Sequence, residues 1–402
     1  MALPIDTSHY LEYLLRRDVT KLYIAIAIRN LALGMVLLFE PIYVFLYFKE
    51  SLPSTLIFFA ILFGLFGILA PFGGKVMAKL GTTKSILLSL FFYFGYYLSL
   101  YLFPVSFWFV PLSLLLIAIG MLLFWPAFHT DFARFSSQQG RGGEVGTMNA
   151  MSLFPMVISP AIGGWVLVTF GYSVLFTGVL MLLVASSIPL FYCKETHEAY
   201  TDSYKAAWKR AFKRENWGSS IGFVTNGLEN IVMFLFWPLF MFFLAISFDS
   251  MGGIASFALI VSVLFMLYMG KISDTKERPW LLNVGSVWTA VSWVIKYFIV
   301  TPFDAFLAHA LYRVSRAAAG VPFQTFFYEK AIGKGREVDE FIVNREMLIN
   351  IGRFLFLLVA AGVFFFFPSL PLNGMFVLAA VFALGFMFMG KPPAFLSLKN
   401  NQ

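Results

Sequence analysis

The chain alternates between long apolar runs and short polar clusters. The runs are about 20 residues long, which is the length a helix needs to cross the hydrocarbon core of a bilayer. A backbone in that core must satisfy its own hydrogen bonds, so the runs are expected to be helices. The pattern predicts an all-α membrane protein with twelve spans, at residues 19–48, 53–77, 83–103, 106–130, 146–170, 172–193, 219–247, 252–271, 279–300, 303–329, 341–367 and 372–390.

The two halves of this pattern repeat each other. Gly74 begins Gly-Lys-Val-Met-Ala-Lys-Leu-Gly, and Gly270 begins Gly-Lys-Ile-Ser-Asp-Thr-Lys 196 positions later. Pro126 and Pro322 keep the same offset on a different span. Duplicated helical bundles are typical of secondary transporters, whose substrate site lies between the halves. We expect two pseudo-symmetric six-helix bundles, at residues 1–193 and 217–402, joined by a cytoplasmic basic linker helix at 194–216.

Basic residues are concentrated in alternate loops. Lys and Arg number 29 against 21 acidic residues, for a formal net charge of +8. By the positive-inside rule, this distribution predicts a multi-pass protein of the plasma (inner) membrane with both termini in the cytoplasm. The positive charge then reflects topology, and no nucleic-acid partner is expected. A capped amphipathic start and the basic linker are both expected to lie on anionic lipid.

The sequence contains no pattern that indicates an enzyme. It has one cysteine, Cys193, and four dispersed histidines, which argue against a disulfide framework or a metal site. A phosphate-binding Gly-x4-Gly-Lys-Ser/Thr loop is also missing from the sequence. We therefore expect no catalytic residues, no metal and no cofactor.

The duplicated loop resembles the signature between spans 2 and 3 of the major facilitator superfamily, roughly Gly-x-x-x-Asp-Arg-x-Gly-Arg-Arg. Gly74, Lys79 and Gly81 match it in the first copy, where Ala78 replaces the acid. The second copy keeps Gly270 and the acid Asp274. The resemblance implies that the acid and base close the cytoplasmic side.

Because Ala78 removes the acid from the first copy, another residue is expected to take its place. Asp131, at the inner end of span 4, is the candidate partner of Lys79. Arg134 and His129 lie near it in sequence and are assigned to the same cytoplasmic gate.

Several ionisable and amide side chains lie within the predicted spans. Each charge there costs roughly 2.5–3.5 kcal/mol, so such groups usually face a cavity or a partner. The resemblance implies that spans 1, 4, 7 and 10 line the central cavity. The candidate substrate-binding residues are Arg29, Asn30, Asn226, Glu229, Asn230, Arg313 and Arg316.

Arginine outnumbers acid among these groups, which favours an anionic substrate such as a carboxylate or phosphate. The alternative is structural: salt bridges between helices, such as Glu229 with Arg316, and snorkelling of Lys296 and Arg353 toward the interfaces. Proton coupling is expected to use Glu40, Glu229 or His309.

These features predict a proton-coupled secondary transporter for a small organic solute, with an anionic group favoured. It is expected to act as a monomer whose partners are the substrate, protons and membrane lipids. Two alternatives remain open: a proton-antiport efflux pump for lipophilic or drug-like compounds, and a non-transporting receptor or lipid scramblase on the same fold.

Overall fold

The computed structural model describes residues 17–135, 141–193, 200–213, 217–274 and 278–390. It leaves out the side chains of residues 17–20, 134, 135 and 336. The predicted amphipathic start, the side chain of Arg134 and parts of the basic linker therefore lie outside the described residues.

The first half contains six helical spans. The chain turns from span 5 into span 6 at Gly171, whose φ of 79° is in the left-handed region that glycine adopts without steric cost. Span 1 is Arg17–Val36 with Glu40–Tyr47, span 2 is Leu52–Leu80, span 3 is Thr82–Tyr101, and span 4 is Phe109–Phe135. Span 5 is Arg141–Leu153, Phe154–Met156 and the first part of Ser159–Ser187; span 6 is its remainder with Ile188–Tyr192.

The second half repeats this arrangement after a short linker helix. The linker helix is Tyr204–Ala211. Span 7 is Trp217–Ile231, Val232–Phe236 and Trp237–Phe243; span 8 is Phe248–Ser273; span 9 is Arg278–Tyr297; and span 10 is Pro302–Ile332. A turn at Gly335–Glu337 precedes span 11, Val338–Phe366, and span 12 is Gly374–Leu384 with Gly385–Gly390.

Within the described residues, six helices are long and apolar enough to cross a membrane alone, and the bent pair of span 1 makes a seventh. One of the six, Arg141–Tyr192, contains both spans 5 and 6. Spans 3, 9 and 10 are helices of 20, 20 and 31 residues that are long enough to cross a membrane but less apolar than these, and span 12 is apolar but shorter. Together these helices make twelve.

Spans 1 and 7 are distorted at corresponding positions of the repeat. The two pieces of span 1 meet at 44° just before Pro41, and span 7 contains a π-helical turn just before Pro238. Proline removes a backbone donor and crowds the preceding turn, which accounts for both distortions. The same backbone position therefore presents Glu40 in the first half and Trp237 in the second.

The most extensive contacts between the halves are two seams, span 2 against span 11 and span 5 against span 8. We call the end of the bundle with Gly81 and Asp274 the motif end, and the end with Lys49 and Asp249 the far end. At the 5–8 seam the backbones approach closely, because a Cβ on Gly252 would collide with the carbonyl of Pro160. Small residues allow this kind of approach between membrane helices.

Gly252→Ala should lower the melting temperature of the purified protein in detergent, because overpacking of this kind costs roughly 1–3 kcal/mol. Gly253→Ala is the matched control, since a Cβ there meets nothing within 4 Å and its effect should stay within about 0.5 kcal/mol. Equal melting temperatures for the two variants would contradict the close approach of spans 5 and 8.

Candidate functional site: buried charges and the contacts between the halves

Glu229 of span 7 is fully buried and accepts hydrogen bonds from three side chains of spans 9 and 10. Trp293 Nε1 donates to Oε1 at 2.9 Å, and Tyr312 OH donates to the same oxygen at 2.7 Å. Arg316 Nε donates to Oε2 at 3.2 Å. The salt bridge that sequence reasoning left as the structural alternative is therefore present, and it ties span 7 to span 10.

Lys296 of span 9 is buried, with 0% of its surface exposed. Its Nζ lies 3.9 Å from the ring centre of Trp237, 4.4 Å from that of Trp293 and 4.0 Å from that of Tyr312. The alternative in which Lys296 snorkels to the interface is wrong, because spans 7 and 10 supply aromatic faces that cover its amino group.

His309 of span 10 lies between two basic groups. Its ring stacks on Trp237, with ring centres 5.2 Å apart. Its Nδ1 lies 3.4 Å from Lys296 Nζ, and Arg313 Nε points at its Nε2 from 3.5 Å. Three basic side chains thus form a line across spans 9 and 10.

Glu40 of span 1 is buried against span 3. Tyr96 OH donates to Oε1 at 2.8 Å, and Tyr97 OH donates to Oε2 at 3.2 Å. Span 3 carries several other hydroxyl side chains, so the sequence did not single out these two tyrosines. Glu40 thus lies in a pocket of neutral donors.

Arg29 of span 1 is buried between aromatic rings. Its guanidinium carbon lies 3.6 Å from the ring centre of Phe124 and 4.4 Å from that of Tyr93. Its Nη1 donates to Asn30 Oδ1 at 3.2 Å, and Asn30 Nδ2 donates to the carbonyl of Ser152 at 2.9 Å. Arg29 and Asn30 therefore connect span 1 with spans 3, 4 and 5.

The candidate residues of span 7, Asn226, Glu229 and Asn230, do not all face the same neighbours. Glu229 faces spans 9 and 10, whereas Asn230 accepts a hydrogen bond from Arg353 Nη2 of span 11 at 2.8 Å. Arg353 also donates to the carbonyl of Gly227 and to Asn350. Asn226 is half-buried on the same helix. Arg353 thus packs spans 7 and 11 together.

The charges within the spans are unevenly compensated. In the described part of the chain, no carboxylate lies within 4.0 Å of a side-chain nitrogen of Arg29, Lys296 or Arg313. Cation–π contacts partly replace an anion at Arg29 and Lys296. The site therefore combines a surplus of positive charge with acids whose oxygens already accept hydrogen bonds.

At the motif end, Asp274 joins the halves. Its two carboxylate oxygens accept hydrogen bonds from the backbone N–H groups of Gly142 at 2.6 Å and Gly143 at 2.8 Å, in the first turn of span 5. The positive end of a helix favours a carboxylate there, by up to about 2 kcal/mol when partly buried. Arg278 contacts both Asp274 and Glu329. The second copy of the loop signature thus closes the 5–8 seam.

Other cross-half contacts lie deeper than Asp274 on the same side. His129 Nδ1 of span 4 lies 2.8 Å from Tyr328 OH of span 10. Asn149 of span 5 donates to Gln324 of span 10 at 2.7 Å.

Asp131, the predicted partner of Lys79, is buried in span 4, while Lys79 is exposed at the end of span 2.

The first copy of the signature has Ala78 in place of the acid. Part of the linker lies at the 2–11 seam beside this copy. Tyr200 packs on Gly74 of span 2. Thr201 donates to Glu340 of span 11 through both its backbone N–H, at 2.8 Å, and its hydroxyl, at 2.9 Å. Sequence reasoning assigned the linker to the lipid surface, but this part of it lies against the 2–11 seam.

Arg210 fixes the linker helix to the same seam. It binds both oxygens of Asp202 and, at 2.6 Å, an oxygen of Glu337 before span 11. The hydrogen bond from Arg210 lowers the pKa of Glu337 from its ordinary value. The contact is therefore present above that ordinary pKa and is lost as the pH falls through the lowered value.

At the far end the halves meet through aromatic rings. Phe45 of span 1 lies edge-on to Phe243 of span 7 at 5.4 Å, and Phe39 lies edge-on to Phe248 of span 8 at 5.8 Å. The two halves therefore touch at both ends, through polar contacts at the motif end and aromatic contacts at the far end.

Asp274→Asn should open the motif end, because the amide keeps an acceptor but loses the charge that favours the start of span 5. Spin labels at Lys79 and Lys334, exposed on opposite halves, would report the change by double electron–electron resonance in a Cys193→Ser background. We expect a larger population of long distances.

Asp304→Asn is the control, since Asp304 also accepts backbone N–H groups at a helix start, but within one half. Identical distance distributions for Asp274→Asn and the unchanged chain would show that Asp274 does not hold the seam closed.

Comparison with known proteins agrees with this architecture. The family model of the Major Facilitator Superfamily matches residues 22–337, while a search of curated proteins gives no match. The human organic anion transporter MFSD10 (TETRAN) superposes with a TM-score of 0.66 at 12% identity, covering 94% of this chain and 99% of that one. The E. coli fucose:proton symporter FucP gives 0.63 at 13% identity, covering 93% and 99%.

A structure of FucP in the outward conformation gives a TM-score of 0.65 at 12% identity, again covering 93% of this chain and 99% of that one. These likenesses confirm the predicted twelve-helix fold, and the family consists of transporters rather than enzymes. The chain belongs to the major facilitator superfamily.

Proposed function

We propose that this chain carries a small organic anion across the plasma (inner) membrane by alternating access, with proton coupling and with both termini in the cytoplasm. The observation that carries the proposal is the pair of arginines within the spans, Arg29 and Arg313, that lack a carboxylate partner among the described residues. An anionic substrate would supply the missing charge.

Arg313 is the candidate contact for the anion. Its Nε is directed at His309, and its two terminal nitrogens donate no hydrogen bond to any described residue. A guanidinium with both terminal nitrogens available matches a carboxylate or phosphate with two parallel bonds. Arg316 is half-buried one turn away and already serves Glu229, so we assign it to positioning.

Alternating access agrees with the contacts between the halves. The polar contacts of Asp274 at the motif end and the aromatic contacts at the far end each block one entrance. A site between the halves is reached from either side only if the two sets break in turn. Two neighbours of this fold are described as an organic anion transporter and a fucose:proton symporter, and these are the two properties combined here.

Glu40 is the proposed coupling acid of the first half. Glu229 is neutralised by Arg316, whereas the described residues around Glu40 offer two tyrosine hydroxyls and no cation. A buried carboxylate without a cation is costly to keep charged. A proton is therefore the species that would neutralise Glu40.

Uptake by proteoliposomes tests the substrate class. We expect benzoate, succinate or glycerol 3-phosphate to enter faster than glucose or choline, and faster still with a pH gradient. Arg313→Gln should lower anion uptake by roughly 10–100-fold, the value of a lost charge-assisted bond.

Arg353→Gln is the matched control, because the hydrogen bonds of Arg353 hold spans 7 and 11; it should lower stability without changing the preference for anions. Preference for glucose or choline, or lipid flipping without solute flux, would refute the proposal.

Glu40→Gln should lower accumulation driven by a pH gradient while leaving exchange of labelled for unlabelled anion intact, because the amide cannot take up a proton. Glu50→Gln, at an exposed position of the far end, is the control and should behave as the unchanged chain. Full gradient-driven accumulation by Glu40→Gln would exclude Glu40 as the coupling acid.

A further inference from the structure

Lys296, His309 and Arg313 form a line of basic groups in the second half, and their contacts indicate which nitrogen atoms carry protons. Arg313 Nε is a donor only, so His309 Nε2, at 3.5 Å, must accept from it. A neutral imidazole then carries its single proton on Nδ1. That proton points at Lys296 Nζ, 3.4 Å away.

An ammonium group has no lone pair and cannot accept this proton. Both contacts are hydrogen bonds only if Lys296 is an uncharged amine. The arrangement observed therefore suits the uncharged form of the Lys296–His309 pair, with the imidazole proton on Nδ1 and Arg313 donating to Nε2.

The surroundings of Lys296 also suit the opposite form. Three aromatic faces, those of Trp237, Trp293 and Tyr312, lie 3.9–4.4 Å from its nitrogen. The electron-rich faces of aromatic rings favour an ammonium over an amine. Lys296 thus has a hydrogen-bond donor suited to its neutral form and a cage suited to its charged form.

Other charged and titratable groups face this pair from each neighbouring helix. Span 7 brings Glu229, linked to the cage through Trp293 and Tyr312, and span 10 brings Arg313 and Arg316. Span 7 also brings the neutral sulfur of Met233, 3.5 Å from Lys296 Nζ, and span 12 brings Phe376 against Trp237. Because Arg316 neutralises Glu229, the groups whose charge can still change are Lys296 and His309.

We propose that His309 and Lys296 form a proton-carrying pair gated by Arg313, which couples anion binding to proton uptake. The proposal rests on the proposed function above. When an anion binds the Arg313 guanidinium, Arg313 Nε leaves His309 Nε2. A proton from solution then binds Nε2, and the Nδ1 proton passes to the lone pair of Lys296, giving an ammonium and an imidazole protonated on Nε2.

The step gains one proton and one anion together. Without the anion, an ammonium at Lys296 would require His309 Nε2 to lose its contact with Arg313. The charges of Lys296 and Arg313 would then lie unbalanced on either side of the His309 ring. With the anion, the charge on Arg313 is balanced and the ammonium is held by the three rings. Because binding linkage is reciprocal, the anion favours the proton by the same factor as the proton favours the anion.

Lys296→Met is the test variant, since Met fills similar space and cannot carry a proton. Using radiolabelled benzoate and succinate, we expect exchange of labelled for unlabelled anion to persist, while the accumulation ratio under a pH gradient falls, because Glu40 alone then couples the anion to protons. His309→Gln keeps a donor and an acceptor but cannot pass a proton onward, so it should give the same result.

Proton uptake gives a second readout that does not depend on transport. Addition of benzoate or succinate to the unchanged protein in weakly buffered detergent should raise the pH of the solution, and Lys296→Met should remove that rise. Lys271→Met, at an exposed position near the motif end, is the matched control and should keep both accumulation and proton uptake.

The outcomes separate this inference from the proposed function. If the unchanged protein moves neither anion, both proposals fail. If it accumulates an anion and Lys296→Met accumulates it equally, the inference alone fails. If Lys296→Met unfolds, His309→Gln decides by the same measurements. Loss of exchange together with accumulation in a folded variant would make the pair part of the anion site and overturn its coupling role.

Discussion

A charge inside the hydrocarbon region must find its compensation within the protein, and this constraint organises the molecule. Glu229 has three donors, Glu40 has two tyrosine hydroxyls, and Lys296 has three ring faces. The surface has the opposite character, with rings such as Phe91 exposed. Charged side chains therefore appear where helices pack together, and each one fixes the helices that supply its partners.

The duplicated fold satisfies this constraint differently in its two halves. Asp274 closes the 5–8 seam by accepting from the start of span 5, but its counterpart Ala78 has no such group. The 2–11 seam is held instead by Thr201 on Glu340 and Arg210 on Glu337. A linker so attached cannot leave the seam without breaking charged hydrogen bonds, so any separation of spans 2 and 11 at the motif end would have to break them or carry the linker along.

Sequence patterns predicted the spans because the length of an apolar run depends only on local composition. They also identified Glu229 and Arg316 as possible partners, since few charges exist to choose from. Partners such as Tyr96 for Glu40 were beyond reach, because contact between spans depends on how each helix is rotated. Lys296 was misplaced for the same reason: its position in the last turn of span 9 suggested an interface, whereas the neighbouring spans cover that face.

The most informative comparison between the halves is at the two proline-associated distortions. In span 1 this position holds Glu40, and in span 7 it holds Trp237, whose ring lies against both His309 and Lys296. Under the proposed coupling, a proton at Glu40 would remove a charge that only neutral donors surround. A proton beside Trp237, on Lys296, would create a charge that aromatic faces favour. The two equivalent positions would then respond to protonation in opposite electrostatic senses, which an exact repeat could not do.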